Sequence, residues 1–213
     1  MHTCETVYRV GINMIIIEGT VGVGKSTLQK GICRIINESI MLVQDYEHNI
    51  CLSDFYRGDS CILQKQMIFL FSDYHLLVSS VNRHPESIIV SDYSLERSKI
   101  MAKEYLNEYE YEHLFLTCYN YLIGKLNVHH KMLILLYASP ERILANIRKR
   151  NRFMEREITV QYIDEKQKLI MKELPKHEFD KTVAINCDNV DICNEDFIKE
   201  LAKEIQSFEN IGK

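Results

Sequence analysis

A chain of 213 residues, 46% hydrophobic and 26% charged, has the balance of one soluble globular domain with a sizeable core. Its formal net charge of −4 gives no footprint for a nucleic-acid polymer. The longest apolar run, Met132 to Ala138, is too short to span a bilayer, so no membrane is expected as a partner. Residues 1–13 lack the apolar centre of a signal peptide and read as an N-terminal extension. Seven scattered cysteines without a Cys-x-x-Cys pair read as reduced, mostly buried thiols of a cytoplasmic protein. The adjacent His129-His130 reads as a surface loop rather than a metal pair.

Short apolar runs alternate with longer helical patterns, which predicts an α/β domain with a five-stranded parallel sheet flanked by helices in three layers. Strands are predicted at 14–18, 40–44, 88–91, 132–137 and 182–186, each a continuous apolar run of the kind buried on both faces. Helices are predicted at 25–37 and 62–81, then two within 94–126. A further helix starts at Ser139-Pro140-Glu141, where a capping Ser, a first-turn Pro and an acid coincide. The last follows Asn194.

The segment Gly19-Thr20-Val21-Gly22-Val23-Gly24-Lys25-Ser26-Thr27 matches G-x-x-x-x-G-K-[ST]. It follows the strand Met14-Ile15-Ile16-Ile17-Glu18 and opens a helix, the context a phosphate-binding loop requires. Its backbone amides would cradle the phosphates of ATP, Lys25 would reach the β- and γ-phosphates, and Ser26 would ligate Mg²⁺. Neither the Asp-x-x-Gly nor the Asn-Lys-x-Asp of a GTPase switch occurs. Small-molecule phosphoryl transfer is the class that remains.

In open α/β sheets, ligands bind beyond the carboxyl ends of the strands. Strand two leads into Gln44-Asp45-Tyr46-Glu47-His48-Asn49 and then Phe55-Tyr56; strand three leads into Ser91-Asp92-Tyr93-Ser94-Leu95-Glu96-Arg97-Ser98. A basic run, Ile147-Arg148-Lys149-Arg150-Asn151-Arg152-Phe153-Met154-Glu155, follows strand four. With these segments in this order, residues 14–175 resemble the deoxynucleoside kinase family, and the resemblance implies phosphorylation of a deoxynucleoside 5′-hydroxyl in nucleotide salvage.

The resemblance implies a role for each matching position. Gln44 stands where the family has its general-base Glu, and Asp45 is the nearest replacement. Asp92 matches the acid that holds Mg²⁺ through water, while Tyr93 stands in place of an Arg. Arg97, one helical turn on, would restore that cation. Tyr56 would contact the sugar 3′-hydroxyl and Gln66 the base edge. The family's base-reading Arg and its acidic partner are here Asp73 and Ser98. Residues 147–156 form the Arg-rich lid, followed by Tyr162-Ile163. In it, Arg148, Arg150 and Arg152 would neutralise charge on the transferring group, Arg148 and Arg152 facing the same way, and Glu155 would hold the 3′-hydroxyl. Asn146 stands where some relatives have a further Arg. Family analogy also implies a homodimer.

Two other readings stay open at this point. A thymidylate-kinase-like nucleoside monophosphate kinase fits the lid but expects Asp-Arg-Tyr after strand three. An ATP-binding protein of this fold with impaired catalysis fits Gln44 and Tyr93.

Overall fold

The computed structural model describes residues 11–43, 61–106 and 108–209, with the backbone alone at 129, 130, 154 and 209. Five parallel strands are ordered β2-β3-β1-β4-β5. They are β1 (Ile12–Glu18), β2 (Ser39–Leu42), β3 (Ile88–Ser91), β4 (Val128–Tyr137) and β5 (Lys181–Asn186). Seven α-helices flank them among the described residues: α1 (Lys25–Ile35), α2 (Ile62–Arg83), α3 (Leu95–Tyr105), α4 (Tyr109–Ile123), α5 (Pro140–Arg150), α6 (Val160–Glu173) and α7 (Glu195–Glu209).

The apolar run of β1 is continuous because the strand is covered on both faces. Ile15 and Ile17 point to one side, where Leu28 and Ile32 of α1, Ile143 and Ile147 of α5, and Leu201 and Ile205 of α7 close over them. Met14 and Ile16 point to the other, against Leu70 and Leu77 of α2, Ile100 of α3 and Phe115 of α4. β4 divides in the same way, with Met132, Ile134 and Leu136 on the first side and Leu133 and Leu135 on the second. This alternation is the two-residue period of a strand acting inside an unbroken hydrophobic segment.

Several expectations are corrected. Between β4 and β5 the sequence suggested one helix, and the structure has two. Asn151 adopts a left-handed conformation (φ 53°) that ends α5. Thr159 then caps α6, its hydroxyl accepting the Tyr162 amide at 3.1 Å. Ser139 occupies the cap position of α5 without capping it. Its hydroxyl and its amide both donate to Asp188, at 3.0 and 2.6 Å, so the side chain is oriented by that carboxylate. His129-His130 belongs to β4, drawn into the ladder by pairing with β1, and is not in a loop. Of the five described cysteines, Cys187 is buried while Cys61 and Cys193 are exposed, so the thiols are not mostly buried. No helix of the described residues is long and apolar enough to cross a membrane.

The carboxyl ends of two strands are tied together by one side chain. Gln29, fully buried on α1, donates its amide to Leu42 O at the end of β2 (2.6 Å) and to Val90 O of β3 (2.9 Å). Gln29→Leu keeps the apolar contacts and leaves both carbonyls without that donor. It is expected to lower stability by about 1–2 kcal/mol, read from the urea unfolding midpoint. An unchanged midpoint would remove the clamp from this account.

Candidate active site

β1 ends at Glu18 and α1 begins at Lys25, and the six residues between them turn the chain through a tight loop. Gly19 and Gly24 have φ of 148° and 114°, in the region only glycine enters easily. A Cβ at Gly19 would lie 2.4 Å from Leu136 O, and one at Gly24 would lie 2.3 Å from Ile192 Cδ1. The glycines therefore serve both the turn and its close packing on β4 and on the segment after β5. Gly24 is the cap position of α1, so the first amides of that helix open into the loop.

Lys25 folds back over the loop, its Nζ donating to Gly19 O and Thr20 O at 2.9 Å each. Burial pushes its pKa down to about 8, and the nearby Arg97 adds to that effect. Ser26, one residue on, donates its hydroxyl to Asp92 Oδ2 at 2.5 Å. The end of β3 thus meets the start of α1, joining the two residues predicted to hold a metal.

Glu18 is the residue the sequence reading missed. It is wholly buried, and three donors converge on it: Ser94 Oγ at 2.8 Å, Arg97 Nη1 at 2.9 Å and the Gly19 amide at 3.3 Å. The available signal was a carboxylate closing an otherwise apolar central strand. Ser94 also caps α3, accepting the Arg97 amide at 3.1 Å. Tyr93 precedes this cap, so Arg97 reaches the site through its place in the first turn of α3, not through a helix face shared with residue 93. Glu96 is buried and paired with Lys131, while Arg97 turns to the loop.

In the lid, α5 stops at Arg150, so Arg148 and Arg152 do not share a helix face as expected. Arg148 donates to the carbonyls of Arg156 and Ile158, the latter at 2.9 Å. Arg150 grips Glu155 through two hydrogen bonds of 3.1 and 2.6 Å, and Arg152 Nη1 lies 3.8 Å from the same carboxylate. Glu155 is buried in this arrangement. Asn146 donates to Gly22 O at 3.1 Å, joining the lid helix to the phosphate loop.

Gln66 and Asp73 are both buried on α2, seven residues apart and therefore on one face. Ser98 Oγ lies 3.5 Å from Asp73 Oδ2, so these two departures from the family pattern face each other. Gln44, Asp45 and Tyr56 lie outside the described residues.

A half-buried cation whose pKa is pushed down to about 8 bears directly on anion binding. Lys25 is charged below that value and neutral above it, so affinity for ATP is expected to fall as pH rises from about 7 to about 9. Lys25→Ala should abolish measurable binding in the same titration. A flat profile, or binding that survives the substitution, would contradict the placement of Lys25 at the phosphates.

The deoxynucleoside kinase family profile matches residues 15–210. A search of curated proteins finds no match. Among solved structures, the chain is similar to deoxyadenosine kinase from M. mycoides with the products dCMP and a flexible dCDP bound. That pair has a TM-score of 0.73 at 22% identity, covering 91% of this chain and 99% of the other. The same M. mycoides enzyme with bound dCTP gives a TM-score of 0.71 at 20% identity, and with bound dATP 0.71 at 19%, each over 91% and 99% of the two chains. Identity this low carries the fold alone, whereas the family profile spans nearly the whole chain. The chain belongs to the deoxynucleoside kinase family.

Proposed function

We propose that this protein transfers the γ-phosphoryl group of ATP to the 5′-hydroxyl of a deoxynucleoside. The observation that carries the reading is the Ser26–Asp92 contact beside Lys25, which sets a hydroxyl, a carboxylate and a half-buried cation around the mouth of an anion-binding loop. Hard oxygen donors of this kind suit Mg²⁺, which binds through one or two protein oxygens and the substrate phosphates. Bound there, Mg²⁺ would neutralise charge on the transferring group.

The chain's own residues would do the rest. The loop amides and Lys25 bind the phosphates, Asp92 and Ser26 orient the metal, and Arg97, Arg150 and Arg152 supply positive charge. Gln66 would face the base. At the acceptor end, Asp45 would replace the base that Gln44 lacks, with Tyr56 and Glu155 on the sugar. Glu155 would exchange Arg150 for that hydroxyl when the lid closes.

A second reading, nucleotide binding with impaired turnover, is favoured by Gln44 and Tyr93. Labelled ATP with a panel of deoxynucleosides and deoxynucleoside monophosphates separates the two. Transfer to deoxynucleosides is expected, and a gain of about tenfold or more for Gln44→Glu would show that the general-base position is vacant in the wild type. Transfer only to monophosphates, or none at all, would overturn the proposal.

We also infer a cytoplasmic homodimer built from one domain per chain. Ile62 and Phe71 of α2 and Leu114 and Tyr121 of α4 are exposed, and apolar side chains of this size on helices suit a partner surface. Light scattering should give the dimer mass, and Leu114→Glu with Phe71→Glu should give the monomer. A monomeric wild type would refute the inference.

A further inference from the structure

Two cations of the site meet on one oxygen. Gly19 O accepts from Lys25 Nζ at 2.9 Å and from Arg97 Nη1 at 2.9 Å. Lys25 occupies the motif position that reaches β- and γ-phosphate oxygens. A guanidinium that shares its resting acceptor stands within reach of those same oxygens, and its planar fork suits phosphate better than a point charge does.

The arm that carries Arg97 is set by Glu18. Oε2 pairs with the guanidinium at 2.9 Å. Oε1 takes the hydroxyl of Ser94 at 2.8 Å, and Ser94 accepts the Arg97 amide at 3.1 Å. Both the backbone and the charged end of Arg97 are therefore referred to one carboxylate with no exposure to solvent. An acid at the root of a phosphate loop would repel the ligand if it stood alone. Paired, it fixes a cation where the side chain would otherwise sample many rotamers.

We propose, on the reading that the loop binds ATP, that Glu18 is a positioning residue that presents Arg97 to the terminal phosphoryl group. The chain then distinguishes a nucleoside triphosphate from a diphosphate through Arg97. Lys25 and the loop amides bind both nucleotides, while Arg97 adds a contact only the triphosphate can make.

The test is calorimetric titration of the full chain with ATP and with ADP, each with Mg²⁺, for wild type, Glu18→Gln, Arg97→Met and the double variant. Each single variant is expected to lose about tenfold or more in ATP affinity, the worth of a charged hydrogen bond, with ADP affinity held within about twofold. The double variant should lose no more than Arg97→Met alone, since Glu18 acts through Arg97. Equal losses for ATP and ADP, wild-type ATP affinity in Glu18→Gln, or additive losses would each overturn the proposal. Should Glu18→Gln not fold, Glu18→Asp keeps the charge and withdraws it by one methylene. It should show a smaller loss confined to ATP, and no loss would refute the idea. Phosphoryl transfer is not read in this experiment. A wild type that binds ATP without transferring phosphate fails the catalytic reading alone, whereas loss of the ATP-over-ADP signature fails this inference alone.

Discussion

A carboxylate with no solvent exposure must be surrounded by donors, and Glu18 imposes that requirement at the centre of the molecule's working edge. It closes the middle strand and stands at the first residue of the phosphate loop. Its partners come from three places: the loop backbone at Gly19, the cap of α3 at Ser94 and the side chain of Arg97. The junction of β1 with the loop is thereby locked to the start of α3. Because Asp92 lies just before that helix and meets Ser26, the same arrangement sets the distance across the site.

Amide side chains hold the surrounding strand ends. Gln29 joins β2 to β3 from one layer, and Gln167 of α6 brackets Ala138 after β4, accepting its amide at 3.2 Å and donating to its carbonyl at 2.9 Å. Strand termini carry backbone groups the ladder no longer pairs, and a buried amide can supply both donor and acceptor. The carboxyl ends of the strands are thus tied on either side of the phosphate loop. The lid is built differently. Its arginines bind its own carbonyls and the carboxylate of Glu155, with Asn146 the hydrogen bond to the loop. Ion pairs that are partly exposed exchange readily for phosphate, so a segment of this kind can be stable alone and still yield its charges to a ligand.

Much of the frame was legible in the residues. The apolar runs of β1, β3 and β5 gave strand positions within two residues of those observed, since a strand buried on both faces leaves little ambiguity. The helix α6 was not legible, because no proline or glycine separates it from α5 and the break rests on the left-handed Asn151 and the Thr159 cap. Ser139 misled for a related reason. A cap residue is recognised by its local sequence, but Asp188 reaches it from just beyond β5, the strand paired with β4.

Local sequence determined the phosphate loop by itself, because glycine conformations and the strand-to-helix context are properties of a contiguous segment. It also placed Asp92, since the end of a parallel strand is where ligands meet such a sheet. Only the tertiary structure brought Glu18 to Arg97, because they are far apart along the chain and their meeting depends on the pairing of β1 with β3. Tertiary structure likewise brought Asp73 to Ser98 and Arg150 to Glu155. Hydrogen-bond partners are chosen by proximity in space, and a linear pattern can name the groups that need partners without saying which will satisfy them.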